Sequence, residues 1–491
     1  MVGKITSIDE KSKFVRMERS TTDEVSNFLF ALGNKFVDVG NAEAAFDCFK
    51  YSVDLNDKNQ PSVYNLGCLY SLSGNFEGAY KMFKEASRMS PTDLLSKISL
   101  AEVTRKLGKM GEAEELMRLL LKLDPDNLAI LSGMAILCYD LGRLAEAAEW
   151  NDRAIEKSPA DTRVLLNQAL INMTFGTWAP WWAQYEFCLS YQKNERMHGL
   201  SMSDAWHGQE MEGKTLLVVS DQGSGDAIQF SRYLKEAKAL GKFEKLIYLV
   251  QPDLLDLLAR VDGVDEVVGF AQKMHLDYDA FSSLLGVMRV LQVDPANCYR
   301  PPHIVTDPKL DAVWESRMGE VWDGCSKKVG IVWGGDAKHG NNRNRSIPLS
   351  LFVKLMRGTA TQTPATGVQY FSMQVGEPAR QLFALAEEVE IGKEVVDLGI
   401  DFRSFDDTAS ALRQMDLVIS CDTSVPHLAG CLGIPTWILV ANPGEWRWGT
   451  DGGSTPWYPS VRLFRQKDPK NWDSVMEAVL HNLKEWVRCQ N

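Results

Sequence analysis

The chain has 491 residues, of which 45% are hydrophobic and 24% charged, and its formal net charge is −12. This length predicts roughly three domains of ordinary size, and the composition is typical of a soluble globular protein. The negative charge argues against a general nucleic-acid-binding protein, because phosphate backbones attract basic surfaces. We therefore expect no nucleic-acid partner.

The apolar and cysteine residues also exclude some classes of protein. The sequence contains no run of about twenty apolar residues, and its first residues lack the apolar core of a signal peptide. We therefore expect no membrane span and a cytoplasmic location. The nine cysteines are scattered and include no Cys-x-x-Cys pair. They predict reduced thiols rather than disulfides or a zinc site.

The first third of the chain repeats with a period of 34 residues. Three residue types keep this step, namely Gly40, Gly74, Gly108 and Gly142, then Ala45, Ala79, Ala113 and Ala147, then Pro91, Pro125 and Pro159. The glycines suit the turn inside a helical hairpin, the alanines let its two helices cross closely, and the prolines follow the second helix. The period is that of tetratricopeptide repeats (TPRs), whose concave groove most often binds a peptide or another protein.

A fifth repeat begins at Ala169 and Gly176 and then departs from the pattern. Its residues Trp178, Trp182 and Tyr185 share one face of a predicted helix. We interpret this face as a hydrophobic cap that joins the repeats to the next domain. A site for an aromatic ligand is the alternative.

From about residue 213, short apolar runs alternate with helical segments, which predicts a parallel sheet. The predicted strands are 215–220, 245–250, 266–270, 327–335, 368–376, 416–420 and 435–441. A joint around 301–319 would divide them into two doubly wound halves, with ligands bound at the carboxyl ends of the strands. The amphipathic last helix, 471–486, is expected to pack across both halves.

The segment DQGSGDAIQF (221–230) follows the first predicted strand. It is not a dinucleotide-binding fingerprint, because Ile228 replaces the third Gly or Ala, and it is not a P-loop, because no Lys follows. Asp226 falls in the first turn of the next helix, where a carboxylate would repel phosphate. Two interpretations stay open: a carboxylate that stabilises its own helix, or one that takes part in chemistry.

The segment CDTSVPHLAG (421–430) leads from a strand into a helix. Thr423 or Ser424 can cap this helix, and the free amides and the helix dipole at its start favour an anion. His427 would lie one turn into the helix, close to a bound diphosphate. The segment is therefore a candidate phosphate site.

The loop GGDAKHGNNRNRS (334–346) follows another strand and clusters Lys338, Arg343 and Arg345. These side chains could clamp a pyrophosphate, since the planar guanidinium of Arg suits phosphate oxygens. The alternative is a solvated loop whose charges pair with nearby acids.

Five stretches give the chain a specific resemblance to a known group. They are YEFCL (185–189), GKTLLVVSDQGSGDAIQFSRYL (213–234), VGIVWGGDAKHGNNRNRSIPL (329–349), FDDTASALRQMDLVISCDTSVPHLAGCLGIPTWILV (405–440) and EWRWGTDGGSTPWYP (445–459). With them the chain resembles the bacterial TPR-fused glycosyltransferases of the GT-B fold, which are related to heptosyltransferases and to O-GlcNAc transferase. The resemblance covers nearly everything from about residue 30 onward.

The resemblance implies an α + α/β fold, in which a TPR α-solenoid precedes the two Rossmann-like domains of a GT-B fold. The implied domains are an N-terminal segment (1–24), a TPR superhelix (25–195), an acceptor-side domain (196–318) and a nucleotide-sugar domain with the terminal crossing helix (319–491). The implied activity is inverting, metal-independent transfer of a sugar from a nucleotide-sugar to Ser or Thr hydroxyls of a protein that the TPR half recruits. The flagellin glycosyltransferases of this group further imply flagellin as acceptor and a CMP-nonulosonic acid as donor, with no other cofactor.

Site residues follow from the resemblance position by position. Asp226 matches the catalytic base of the heptosyltransferase branch, and His427 is the competing base. The residues expected to contact the substrates are Gly223, Gly225, Lys338, Arg343, Arg345, Ser346, Gln374, Asp407, Thr408, Asp422, Thr423 and Ser424. One departure is Ser424, which stands where heptosyltransferases have Gly, and it leaves the identity of the donor open.

The sequence also contains two Asp-x-Asp pairs, which in another glycosyltransferase architecture bind a metal. Asp124 and Asp126 fall in a repeat turn, and Asp277 and Asp279 are expected to precede a helix away from the phosphate site. We therefore expect neither pair to bind a metal.

Two other functions stay open. The GT-B half could be inactive, so that the protein is an interaction scaffold, or the acceptor could be a lipid or polysaccharide precursor. Binding of nucleotide-sugars would separate the first alternative from an enzyme. The TPR half disfavours the second, because a lipid or polysaccharide acceptor has little use for a peptide-binding groove.

Overall fold

The computed structural model describes residues 8–191, 195–197, 199–337, 339–359, 367–384 and 395–489. They form two compact units. The first consists of Met1–Cys138 with Glu149–Lys157, and the second of Tyr139–Ala148 with Ser158–Asn491. None of the described helices is long and apolar enough to cross a membrane.

Helices occupy the repeat region. They are α1 (Ile8–Asp38), α2 (Ala42–Leu55), α3 (Gln60–Leu72), α4 (Phe76–Met89), α5 (Leu94–Lys106), α6 (Met110–Leu123), α7 (Leu128–Asp140), α8 (Leu144–Lys157) and α9 (Thr162–Thr174). The turn glycines of the 34-residue period, from Gly40 to Gly176, all have a positive φ, between 73° and 93°. Only glycine adopts this backbone conformation without strain, which is why the period is visible in the sequence. The predicted TPR solenoid is confirmed.

The first sheet is parallel, with the strand order β3-β2-β1-β4. Its strands are β1 (Thr215–Val219), β2 (Lys245–Val250), β3 (Glu266–Gly269) and β4 (Ala280–Ser283). The helices of this half are α10 (Trp182–Glu186), α11 (Ser224–Phe230), α12 (Leu234–Leu240), α13 (Leu255–Leu258) and α14 (Leu284–Val290). The expectation that Asp277 and Asp279 precede a helix is wrong, because the next element is β4, paired in parallel with β1.

The second sheet is also parallel, with the order β10-β9-β8-β5-β6-β7. Its strands are β5 (Lys327–Val332), β6 (Val368–Ser372), β7 (Val395–Asp397), β8 (Leu417–Cys421), β9 (Thr436–Val440) and β10 (Val461–Arg465). The helices are α15 (Pro308–Val321), α16 (Asn342–Arg345), α17 (Leu349–Thr359), α18 (Arg380–Ala384), α19 (Phe405–Leu412), α20 (Ser424–Leu432) and α21 (Asp473–Cys489). Two such halves after the solenoid confirm the predicted fold class.

The last helix packs within the second half. Helix α21 lies against α17 and β10, and its buried residues include Val475, Val479 and Leu483. Lys354 of α17 pairs with Asp473 at 3.1 Å. The main packing contacts of α21 thus lie in the second half, and its crossing to the first half stays a prediction.

The aromatic residues of the fifth repeat lie in the core of the second unit. Trp178 stacks on Trp457 with ring centroids 4.8 Å apart, and Trp182 meets Trp446 edge to face at 5.5 Å. Trp178 and Trp182 are at most 2% exposed. Such burial among other aromatic rings supports a packing role for this face over a ligand site.

Candidate active site

A cleft of about 830 Å³ lies at the carboxyl ends of the strands of both parallel sheets. The first half contributes the segment 223–226 after β1 and Gln251 after β2, and the second half contributes residues after β5, β6, β8 and β9. Doubly wound sheets bind ligands at this edge. The cleft is therefore the candidate active site.

The structure brings most of the predicted site residues together. The cleft lining includes Gly223, Gly225, Asp226, Arg345, Gln374, Asp422, Thr423, Ser424 and His427. Arg343 and Ser346 belong to the same loop but lie outside the described lining. The predicted Lys338 lies outside the described residues.

Ser346 stabilises the loop 334–346 through hydrogen bonds and lies outside the described cleft lining. Its Oγ accepts a hydrogen bond from the Gly335 amide (3.2 Å) and donates one to Asn342 Oδ1 (2.9 Å). This fixes the turn that carries Arg345 into the cleft.

Gln374, which follows β6, also makes its hydrogen bonds within the protein. Its Oε1 accepts from the amides of Trp333 (3.0 Å) and Gly334 (2.8 Å), and its Nε2 donates to the carbonyl oxygens of Gly334 and Val375, both at 2.9 Å. A carboxamide has two donor hydrogens and two acceptor sites. All four are used within the protein, so Gln374 shapes the cleft wall.

Asp407 and Thr408 lie outside the described cleft lining. Asp407 accepts from the Trp314 indole (3.2 Å) and from the Arg403 amide (2.9 Å), while Thr408 Oγ1 bonds the Ser404 carbonyl oxygen (3.4 Å). Both residues thus hold the first turns of α19 and its contact with α15. They were expected near the nucleotide, and the structure gives them these packing contacts instead.

The start of α20 carries the features of an anion site. Thr423 is the N-cap residue, yet its side chain makes no capping bond, and Oγ1 is buried without a partner among the described residues. Arg345 Nε is also buried with no partner in the described part of the chain. Buried polar atoms are nearly always hydrogen-bonded, and helix amides attract negative charge. Together these atoms fit a phosphate.

The Gly-x-Gly loop mediates a close contact between the two halves. The Gly223 amide donates to Asp226 Oδ2 at 3.1 Å, which closes the first turn of α11. A Cβ on Gly225 would lie 3.1 Å from His427 Cδ2 and 3.4 Å from Ser424 Cα. Gly225 therefore lets α11 approach α20.

This contact predicts the effect of Gly225→Ala. The added methyl group should push α11 and α20 apart at a cost of about 1–3 kcal/mol, which outweighs the gain of up to about 1 kcal/mol from replacing Gly by Ala in a helix, so the free energy of unfolding should fall. The shape of the cleft should change as well, because the two halves carry different parts of its lining. Thermal unfolding measures the loss of stability.

Gly319→Ala in α15 is the matched control, since a Cβ there meets no described atom within 4 Å. Ala favours a helix over Gly, so this variant should be as stable as the wild type or slightly more stable. Equal behaviour of the two variants would contradict the close approach at Gly225.

Arg447 lines the cleft and was not identified as a site residue from the sequence. Its guanidinium forms an ion pair with Asp226 Oδ1 of the first half. It also contacts Glu445 Oε1 through Nη1 (2.6 Å) and Gln229 Oε1 through Nε (2.8 Å). EWRWG was noted as a matching stretch, but no local pattern indicates a contact with a residue 221 positions away.

Burial shifts the pKa values of the carboxyl groups around Arg447. It raises the pKa of Glu445 to about 7, although the Arg447 charge opposes this shift. It also raises the pKa of Asp422, against the charge of Arg345. Burial disfavours the charge of Arg447 itself, but Glu445 and Asp226 outweigh this effect and raise its pKa.

His427 is 6% exposed and has a different environment. Its Nδ1 lies 3.0 Å from the Tyr458 hydroxyl, and its ring stacks on Trp448 at 5.2 Å. Burial lowers the pKa of His427 well below its usual value, and the charges of Arg447, Arg232 and Arg345 add to this effect. Burial and these charges therefore favour the neutral imidazole.

Comparisons with known proteins support the assignment of TPRs to the first part of the chain. Residues 61–93 and 104–171 each match a model described as tetratricopeptide repeat. Protein FlbA of Caulobacter vibrioides is 26% identical over 338 residues, which are 65% of this chain and 54% of FlbA. The chain thus spans about half the length of this curated relative.

Two solved structures are similar to parts of the chain. A glycosyl transferase family 9 protein from Veillonella parvula is 13% identical, with a TM-score of 0.42, and the match covers 57% of this chain and 99% of that one. A thermophilic TPR protein of Thermus thermophilus is 16% identical, with a TM-score of 0.30, over 35% of this chain and 93% of that one. The chain is therefore similar to TPR proteins and to a glycosyltransferase, in different shares of its length.

Proposed function

We propose that the cleft transfers a sugar from a nucleotide-sugar to a Ser or Thr hydroxyl of a protein acceptor. One observation carries this proposal: Asp226 of the first half lines the same cleft as Thr423 and Arg345 of the second half. A carboxylate from one half and an anion site from the other, in the same cleft, suit a reaction that removes a proton from one substrate and releases a phosphate from the other.

In the proposed reaction, Asp226 takes the proton of the acceptor hydroxyl as its oxygen bonds to the anomeric carbon. Positioned general bases contribute about 10²–10⁴-fold to rate. The bond between that carbon and the donor phosphate breaks, and the electron pair leaves with the phosphate. Thr423, the α20 amides and Arg345 stabilise this charge. A single displacement inverts the anomeric centre and uses no metal.

The contacts of Asp226 are compatible with this role. Oδ1 pairs with Arg447 and Oδ2 accepts from the Gly223 amide, but a carboxylate has about four lone-pair sites. Capacity for a proton therefore remains. The exposure of the two groups supports Asp226 as the base, because its side chain is 22% exposed to the cleft whereas His427 is 6% exposed.

The donor and acceptor can be proposed more narrowly. The resemblance to TPR-fused flagellin glycosyltransferases favours flagellin, recruited through the TPR groove, and a CMP-nonulosonic acid. Mass spectrometry of flagellin incubated with this protein and CMP-, UDP-, GDP- or ADP-sugars tests both assignments. Unmodified flagellin with every donor, together with no thermal shift on donor binding, would instead indicate the interaction scaffold.

Thr423→Val tests the phosphate site. Since the Thr423 hydroxyl has no partner within the described structure, its removal should not lower the melting temperature. It should raise the KM for the donor roughly tenfold or more, because a hydrogen bond to a charged group contributes about 1.5–3 kcal/mol. Steady-state kinetics and thermal unfolding measure the two effects.

Thr436→Val is the matched control. Thr436 is also buried, but its hydroxyl donates to the Ile434 carbonyl oxygen at 2.9 Å in β9. This variant should lose stability and keep its donor KM. A donor KM unchanged in Thr423→Val would argue against a phosphate at the start of α20.

A further inference from the structure

The Arg447 guanidinium joins the two halves at the site. Three of its contacts come from α11 of the first half: the Asp226 carboxylate, the Gln229 carboxamide (2.8 Å) and the Phe230 ring, 5.2 Å from the guanidinium carbon. Two come from its own half, Glu445 (2.6 Å) and the Trp446 ring (4.5 Å). Its side chain is 10% exposed, so these contacts leave it little freedom to move.

Trp446, which precedes Arg447, is fixed by buried aromatic contacts. Trp446 is 1% exposed and meets Trp178 at 5.3 Å, Trp182 at 5.5 Å and Tyr185 at 6.2 Å. Buried aromatic pairs of this kind are worth about 0.5–1.5 kcal/mol each beyond their buried area. The fifth repeat therefore fixes the segment from which Arg447 reaches Asp226.

The charges around Arg447 argue against a role as a phosphate ligand. One guanidinium contacts two carboxylates, Asp226 and Glu445, so the group of three is net negative when both are ionised. A phosphate would have to displace one of them. Arg345 and Thr423, whose Nε and Oγ1 have no described partner, are better suited to that task.

We propose that Arg447 is a positioning residue, which holds the Asp226 carboxylate of the first half at a fixed place relative to the phosphate site of the second. This inference rests on the proposed function. Its physical basis is that a planar, three-point hydrogen-bonded guanidinium fixes orientation as well as charge. A displacement of about 1 Å at a reacting group can cost roughly 10²-fold in rate.

The test compares Arg447→Gln and Arg447→Lys with Arg465→Gln. Arg465 follows in the same half and donates to the backbone oxygens of Gly452 (2.8 Å), Gly449 (3.0 Å) and Trp448, none of which is a site carboxylate. We expect Arg447→Gln to lower kcat about 10²-fold with the donor KM changed less than about threefold. Lys retains the charge but not the three-point geometry, so its kcat should lie in between. Arg465→Gln should leave both constants near wild type.

Three results would overturn the proposal. A raised donor KM with unchanged kcat would make Arg447 a donor ligand. A lower melting temperature with normal kcat per folded molecule would make it a packing residue. An equal loss of kcat in Arg465→Gln would show that the loss in Arg447→Gln comes from a change in the whole segment after β9 and is not specific to Arg447.

Thermal unfolding, which does not depend on sugar transfer, tests this inference separately from the proposed function. If the wild type transfers no sugar from any donor, the function fails, but the pair can still be tested by thermal unfolding of Asp226→Asn, Arg447→Gln and the double variant. Residues in contact give non-additive effects, so the double variant should lose less melting temperature than the sum of the single losses. Additive losses would overturn the inference independently.

Discussion

Asp226→Asn is expected to lower kcat for sugar transfer by about 10²–10⁴-fold, the usual contribution of a general base. The Asn side chain has the same shape and can still accept from the Gly223 amide, which now bonds Asp226 Oδ2 at 3.1 Å. It cannot take up the proton of the acceptor hydroxyl. Since the phosphate site belongs to the other half, the donor KM should change little. Single-turnover transfer and donor titration measure the two constants.

Asp473→Asn is the control for the simpler interpretation of Asp226, that of a carboxylate that only stabilises its own helix. Asp473 also lies in the first turn of a helix, α21, and its side chain is 67% exposed. The change should cost about 0.3–1 kcal/mol at most and leave kcat intact. If Asp226→Asn behaves in the same way, Asp226 is not the base.

Removal of residues 1–175 is expected to abolish the cooperative unfolding of the second unit. This deletion takes away α9, whose Val164, Ile171 and Met173 are at most 2% exposed. It also removes the Met173 carbonyl oxygen that accepts from the Trp178 indole at 3.0 Å. Burial of each such side chain contributes about 1.5–3 kcal/mol, against a total stability of about 5–15 kcal/mol. Calorimetry would show the lost transition.

Removal of residues 1–93 is the matched comparison, because it keeps α5 to α9. We expect this shorter deletion to retain the unfolding transition of the second unit and transfer to a small acceptor, and to lose transfer to the protein acceptor. Wild-type unfolding after removal of 1–175 would contradict the place of α9 in the core. Full protein glycosylation after removal of 1–93 would contradict a recruiting role for the first repeats.

The sequence predicted seven strands at the observed places and missed β4, β7 and β10. All three missed strands lie at an edge of a sheet. β4 (AFSS) and β7 (VVD) are short, and the apolar residues of β10 (VRLFR) are interspersed with two arginines. Central strands of parallel sheets are buried on both faces and read as continuous apolar runs, but edge strands need not be. The three missed strands form by pairing with a neighbouring strand, which their own sequences do not show.

The candidate site also contains residues that short sequence segments predict and residues that only long-range contacts reveal. The sequence predicted Asp226, Thr423 and Arg345 as candidate site residues because each follows a strand in a short segment of recognisable chemistry, and the carboxyl ends of parallel strands meet at one edge. Asp407 and Thr408 were expected there as well, but α19 uses them for its own first turns. Arg447 was missed, since its partner Asp226 is far away in the chain.

The sequence by itself determined the 34-residue repeat, the parallel-sheet halves and the Gly-x-Gly-Asp loop. Each depends on backbone requirements or periodicities within a few dozen residues, such as the positive φ of Gly40. Only the tertiary structure decided that the fifth repeat belongs to the core of the second unit and that Arg447 forms an ion pair with Asp226. Those contacts join residues distant along the chain, and the energy of such a contact depends on which surfaces folding brings together.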